Sequence, residues 1–97
     1  MLIYVANWPE KRAHHWKSLL MARAIENQTY TIGANRVGED GNQFKHSGNS
    51  SILNFNGDIL MHTAQVEGIH SLILDFDAQQ KFRKRFQFLQ DRDHFTI

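Results

Sequence analysis

The 97-residue sequence contains no cysteine. That absence excludes disulfides, thiolate zinc sites and a thiol nucleophile drawn from these residues. An excess of one charge is also missing: 11 Lys and Arg stand against 10 Asp and Glu, a formal net charge of +1. So balanced a chain carries no electrostatic footprint for nucleic acid or an anionic membrane. Long apolar runs are lacking too. Met1-Leu2-Ile3-Tyr4-Val5-Ala6 is followed at once by Asn7-Trp8-Pro9-Glu10-Lys11-Arg12. It is too short for a signal peptide or a membrane span, and no basic leader precedes it. A soluble, cytoplasmic protein is the expectation. What is present is 41% hydrophobic and 11% aromatic residues, enough for a core. A chain this short fits one small domain that buries only about 60–70% of its unfolded surface.

Taken in order, Leu2 to Ala6 reads as a strand, apolar at nearly every position, as strands buried on both faces are. Such a strand needs neighbours, so missing sequence or an obligate partner is expected. Asn7-Trp8-Pro9 opens a loop, with Glu10 to His15 as surface loop or first helical turn. Trp16, Leu19, Leu20 and Ala24, with Met21 and Ile25 beside them, have helical spacing, and the helix should end near Asn27-Gln28. Arg23 and Glu26 lie three apart on it, close enough for an ion pair. Tyr30 to Arg36 follows as a strand. Gly38-Glu39-Asp40-Gly41-Asn42 is turn chemistry. Ser51 to Phe55 and Asp58 to Met61 flank Asn56-Gly57, which predicts a hairpin with a two-residue type I′ turn. Ile69 to Phe76 reads as another strand. Ala78 to Gln90 reads as a helix with Phe82, Phe86 and Leu89 on one face. Phe95 and Ile97 make the tail a segment that should dock. The order βα-β-ββ-βα defines an α/β (α+β layered) arrangement.

Most candidate chemistry has a plainer reading. The adjacent His14 and His15 point apart on any regular element, and no HxxxH spacing completes a metal site. Lys81-Phe82-Arg83-Lys84-Arg85-Phe86 mixes bases and aromatics as nucleic-acid binders do, yet on a helix the phenylalanines take one face and the bases the solvated other. Asp40-Gly41-Asn42 lacks the alternating oxygen ligands and closing Glu of a calcium loop. Asn27-Gln28-Thr29 and Asn49-Ser50-Ser51 match the glycosylation pattern without a secretory signal. Ser47, Ser50 and Ser51 lie near His46 but no nucleophile elbow is present. The Asn7-Trp8-Pro9 loop survives, because it leaves a strand end where pockets form in layered folds. Its alternative role is structural, with Trp8 capping the core and Pro9 fixing the turn.

The sequence resembles the nitrilase superfamily of carbon–nitrogen hydrolases, omega-amidase type. The resemblance rests on Tyr4-Val5-Ala6-Asn7-Trp8-Pro9, His15-Trp16 with Leu19-Leu20, Ala22 to Gln28, and Asn35-Arg36-Val37-Gly38 with Asp40-Gly41-Asn42. Ser47-Gly48-Asn49-Ser50, Asn56-Gly57-Asp58-Ile59 and the last helix running to Phe88 and Asp91 complete it. It implies that residues 1–97 are the C-terminal part of a carbon–nitrogen hydrolase domain, itself an α-β-β-α sandwich. It implies a cysteine nucleophile that forms a thioester, a glutamate base and a lysine for the oxyanion, with no cofactor and no metal. All three catalytic residues fall upstream of the block present here, so none is assigned in this chain. Asn7 and Trp8 are the substrate-binding candidates, shaping an acyl pocket for omega-amides of keto acids of the 2-oxoglutaramate type. The helix with Arg23 and Glu26 becomes dimer or core scaffolding. Relatives commonly carry Asp where Asn49 stands. A homodimer, or a missing N-terminal part, is the expected partner, with no nucleic acid and no membrane. The chain alone is expected to be inactive. The alternative is a small non-enzymatic module that docks on a full-length amidase through the dimer surface.

Overall fold

In the computed structural model, which describes residues 1–97, the first strand β1 (Leu2–Ala6) pairs in parallel with β2 (Thr31–Asn35), from Leu2↔Thr31 to Ala6↔Asn35. Parallel neighbours need a crossover. Here it is a short 3₁₀ turn, Glu10–Arg12, running into helix α1 (Ala13–Asn27). Trp16, Leu20 and Ala24, spaced by four, form the buried stripe of α1, and Arg23 and Glu26 pair on its surface. The helix stops at Gln28, whose left-handed backbone (φ 47°) turns its N–H onto the carbonyls of Ala24 and Ile25.

One feature here was not foreseen. Val37–Glu39 (β3) and Lys45–Ser47 (β4) make a separate antiparallel ribbon around the predicted turn. In that turn the Asp40 carboxylate accepts the N–H groups of Asn42 and Phe44, both at 2.9 Å. The Phe44 bond is the main reason its carboxyl sits below the usual carboxylate range. β5 (Ser50–Leu53) and β6 (Ile59–Thr63) then form the predicted hairpin and complete a four-stranded sheet ordered β1-β2-β5-β6.

The hairpin turn differs from the two-residue type I′ turn expected at Asn56-Gly57. That turn needs positive φ at both residues, and only Gly57 has it (82°). The side chain of Asn54 reorganises the loop: its Oδ1 accepts the N–H of Asn56 and of Asp58, at 2.9 and 3.0 Å. The Asn54 N–H bonds the Asp58 carbonyl, and the Gly57 N–H bonds the Asn54 carbonyl. The strand expected over Ile69 to Phe76 does not form. These residues have no ladder partner, and Ile69 and Ile73 are each 96% exposed. Helix α2 spans Phe76–Arg85 instead of Ala78 to Gln90, capped by Asp75 accepting from the Ala78 N–H; a 3₁₀ turn, Phe88–Asp91, follows. Phe86 falls beyond the helix end, though it still packs on Phe82 (5.0 Å between centroids). The tail does not dock: Phe95 and Ile97 are exposed. No helix is long and apolar enough to cross a membrane.

Helix α2 is held by an aromatic cluster, with Phe76 edge-on to Tyr30 (5.8 Å between centroids) and Phe82 on Phe55 (4.7 Å), and by polar contacts to the segment that leaves α1. Gln79, buried, accepts from the Thr29 hydroxyl and the Tyr30 N–H, both at 3.0 Å. Arg83 donates to the carbonyls of Asn27 and Gln28, which the helix itself leaves unsatisfied.

The sheet has one covered and one bare face. On the covered face Trp16, Leu20, Ala24 and Leu53 form the core, with Tyr4, Ala6 and Trp8 packed against it. On the other, Ile3 is 58% and Val5 85% exposed, Ala34 is exposed, and Ile32 and Met61 are half-buried. The two-sided burial expected for β1 is therefore absent: its pattern alternates, and it is an edge strand bonded to β2 alone. The molecule is a slab 19 Å thick, one helical layer on one sheet. Its radius of gyration is 15.5 Å, against about 12.5 Å for a compact chain of this length.

Gly33 sets how closely α1 approaches. A Cβ there would lie 2.5 Å from Leu20 Cδ1 and 2.8 Å from Trp16 Cζ2. Gly33→Ala should destabilise the fold by about 1–3 kcal/mol, measured by urea unfolding. Gly41→Ala, at a site with no atom within 4 Å, should stay near the parent value.

Candidate functional site

The carboxyl ends of the parallel strands β1 and β2 bring together three segments: the Asn7-Trp8-Pro9 loop, Asn35, and the Ser47-Gly48-Asn49-Ser50 turn. Asn35 joins them. Its Oδ1 accepts the Trp8 N–H at 2.8 Å, and its Nδ2 donates to the Trp8 and Gly48 carbonyls, each at 2.9 Å. Its own N–H donates to the Ser50 hydroxyl at 2.9 Å. Gly48 takes φ 75°, and a Cβ there would meet Val37 Cγ1 at 2.8 Å, so the turn passes where only glycine fits.

The ring of Trp8 points toward the helical side. Its centroid is 5.9 Å from that of Trp16, its Nε1–H donates to the Arg12 carbonyl at 2.6 Å, and the Arg12 guanidinium sits 5.7 Å above it. It also lines a small apolar hollow of about 160 Å³ with Tyr4, Trp16, Leu19, Leu20 and Arg23. Asn7 is exposed. The two predicted site residues are thus adjacent at the strand end but unlike in setting: Trp8 is built into the edge of the core, and Asn7 faces outward.

Asn49 lies at the centre of the neighbouring turn, 6% exposed and with φ 54°. Its carbonyl accepts the Trp16 Nε1–H at 2.8 Å. Its Nδ2 donates to Ser47 Oγ at 2.8 Å, and its Oδ1 lies 3.0 Å from His62 Nε2, which must be the donor. The serines near His46 do not form a catalytic arrangement: His46 is buried with Nδ1 against the Phe44 carbonyl, and Ser51 Oγ bonds the Asn49 carbonyl. No group of three or more His, Asp or Glu side chains converges as a metal would need.

A larger cleft, about 650 Å³, opens on the bare face of the sheet. Ile32, Ala34, Ile52 and Met61 line it together with Arg36 and His70. Neither Asn7 nor Trp8 lines it; Asn35 does. Sequence reasoning assigned no role to Asn35 or His62. The only signal for Asn35 was its place in the Asn35-Arg36-Val37-Gly38 block.

This fold and strand-end loop are those of a carbon–nitrogen hydrolase: the family profile matches residues 1–84, and the chain belongs to that family. Within it the similarity runs to omega-amidases. The chain is 46% identical to omega-amidase YafV of Yersinia enterocolitica, over all of its own length and 38% of that protein. It is 39% identical to the 2-oxoglutaramate amidase of Paenarthrobacter nicotinovorans, over 90% of the chain and 29% of that enzyme. The crystal structure of XC1258 from Xanthomonas campestris, a CN-hydrolase superfamily protein with an arsenic adduct in its active site, superimposes with a TM-score of 0.94 at 39% identity. That match covers 99% of this chain and 37% of XC1258. The chain therefore spans under two-fifths of the length of these relatives.

Asn49→Ala should cost about 2 kcal/mol, by removing buried hydrogen bonds and placing alanine at positive φ. Asn49→Asp should cost less than about 1 kcal/mol, because a carboxylate still accepts from His62 and the Ser47 hydroxyl can rotate to donate. Urea denaturation of both variants checks the order.

Proposed function

We propose that residues 1–97 are the C-terminal part of an omega-amidase-type domain and lend the Asn7-Trp8 loop to its acyl pocket. The observation that carries this reading is the bare sheet face. Ile3, Val5, Ile32, Ala34 and Met61 form an apolar surface on a slab with one helical layer, the surface that a second sheet would cover in an α-β-β-α sandwich. The relatives' additional length is enough to supply that sheet.

In the whole enzyme a cysteine from outside these residues attacks the amide carbon of an omega-amide of a keto acid, such as 2-oxoglutaramate. Ammonia leaves, and water activated by a glutamate hydrolyses the thioester while a lysine stabilises each oxyanion. This chain supplies walls: Trp8 as a fixed apolar side and Asn7 as an exposed polar contact. The enzyme works in the cytoplasm as a homodimer, without cofactor. A second reading, a non-enzymatic module that docks on an intact amidase, draws on the exposed Leu19, Met21 and Ile25 of α1.

The purified chain should release no ammonia from 2-oxoglutaramate. Mixed with a segment bearing the Cys, Lys and Glu of an omega-amidase, it should form a soluble complex that does. Turnover by the chain alone would overturn the proposal. Binding to an intact amidase, but not to the complementary segment, would transfer support to the module.

A further inference from the structure

The main-chain ladder between β1 and β2 ends at Ala6↔Asn35. Beyond it the chain has a further pair of peptide groups to satisfy, those of Trp8, and no strand residue opposite them. The Asn35 carboxamide takes that place, accepting the Trp8 N–H and donating to the Trp8 carbonyl as a neighbouring strand would. Its second N–H reaches the Gly48 carbonyl, so the same amide fixes the loop against the Ser47–Ser50 turn. The indole Nε1–H of Trp8 is spent on the Arg12 carbonyl. Every polar group of Trp8 is thus committed within the chain, and none is free to bind a ligand. Asn7 differs: it is exposed, and its carboxamide has no partner in the chain.

We infer that Asn35 is a positioning residue that locks Trp8 as an extra rung of the sheet and leaves the Asn7 carboxamide as the loop's open hydrogen-bonding group. The second half of this statement rests on the proposed role of the loop in an amidase pocket; the first half does not. Asn7 offers both a donor and an acceptor, which suits a substrate with polar ends, such as the amide or the carboxylate of an omega-amide of a keto acid. Only an amide can make the Asn35 contacts. A carboxylate of the same shape would turn oxygen lone pairs onto two carbonyl oxygens, and that repulsion would drive it off the loop and break its bond to the Trp8 N–H.

The test is amide hydrogen exchange by NMR on the full 97-residue chain, expressed as protection relative to intrinsic rates. Asn35→Ala should speed exchange at the Trp8 amide by roughly tenfold or more while the β1–β2 ladder amides keep their protection. Asn35→Asp should lose protection at Trp8 at neutral pH and regain it once acid protonates the carboxyl, which can then donate to one carbonyl. A purely structural loss would not recover on acidification. Unchanged protection at Trp8 in Asn35→Ala, or an equal loss throughout β1 and β2 with no acid recovery in Asn35→Asp, would overturn the clamp. The substrate half is read separately, in the complemented enzyme. There Asn7→Ala should raise KM several-fold, with Trp8 protection unchanged. An unaltered KM beside an intact clamp would sink the assignment of Asn7 to the ligand and leave the clamp standing.

Discussion

One indole ties the packing of this molecule to its polar end. Trp16 lies over Gly33, where no side chain stands between helix and sheet, and its Nε1–H reaches the buried carbonyl of Asn49 at 2.8 Å. The apolar part of the ring sets the distance of α1 from β2. The polar part sets where the turn between β4 and β5 must run. Because the Asn49 side chain also holds Ser47 and His62, a shift of α1 reaches the strand-end turn directly. The loop before α1 is held from the same place, since Trp8 packs on Trp16.

The strand ends are organised by amides rather than charges. Asn35 accepts an N–H and donates to two carbonyls at once, contacts that a carboxylate or a lysine could satisfy only in part; Asn49 joins a hydroxyl and an imidazole in the same neutral way. A neutral group also avoids the cost of desolvating an ion. The result is a strand-end rim joined by neutral groups.

How far the sequence revealed this depends on which forces acted at each place. The spacing of Trp16, Leu20 and Ala24 specified α1, because burial by one sheet selects one stripe. Asn56-Gly57 marked the hairpin correctly but not its turn, because the Asn54 side chain outcompetes the main chain for two N–H groups. The run around Leu72-Ile73-Leu74 is apolar enough for a strand, yet apolarity specifies burial and not a ladder partner, and none is present. The ribbon of β3 and β4 went unread because Val37-Gly38-Glu39 and Lys45-His46-Ser47 lack alternation. At the site, Asn7 and Trp8 were legible as a loop at a strand end. Asn35, which holds them, was not, because its three partners lie 13 to 27 residues away in sequence.

The bare sheet face follows from the same alternation that builds the core. In β1, Tyr4 and Ala6 pack under α1, so Ile3 and Val5 must point the other way. A slip of one residue would hide Ile3 and Val5 but expose Tyr4 and Ala6, so no register buries both sets against a single helix. Nor is the register free to slip, since the Asn35 amide pins Trp8 one step beyond the last rung. A change of register therefore cannot cover the face. The near-continuous apolar composition of Leu2 to Ala6 is of the kind found in strands buried on both sides, while here one side of β1 is bare.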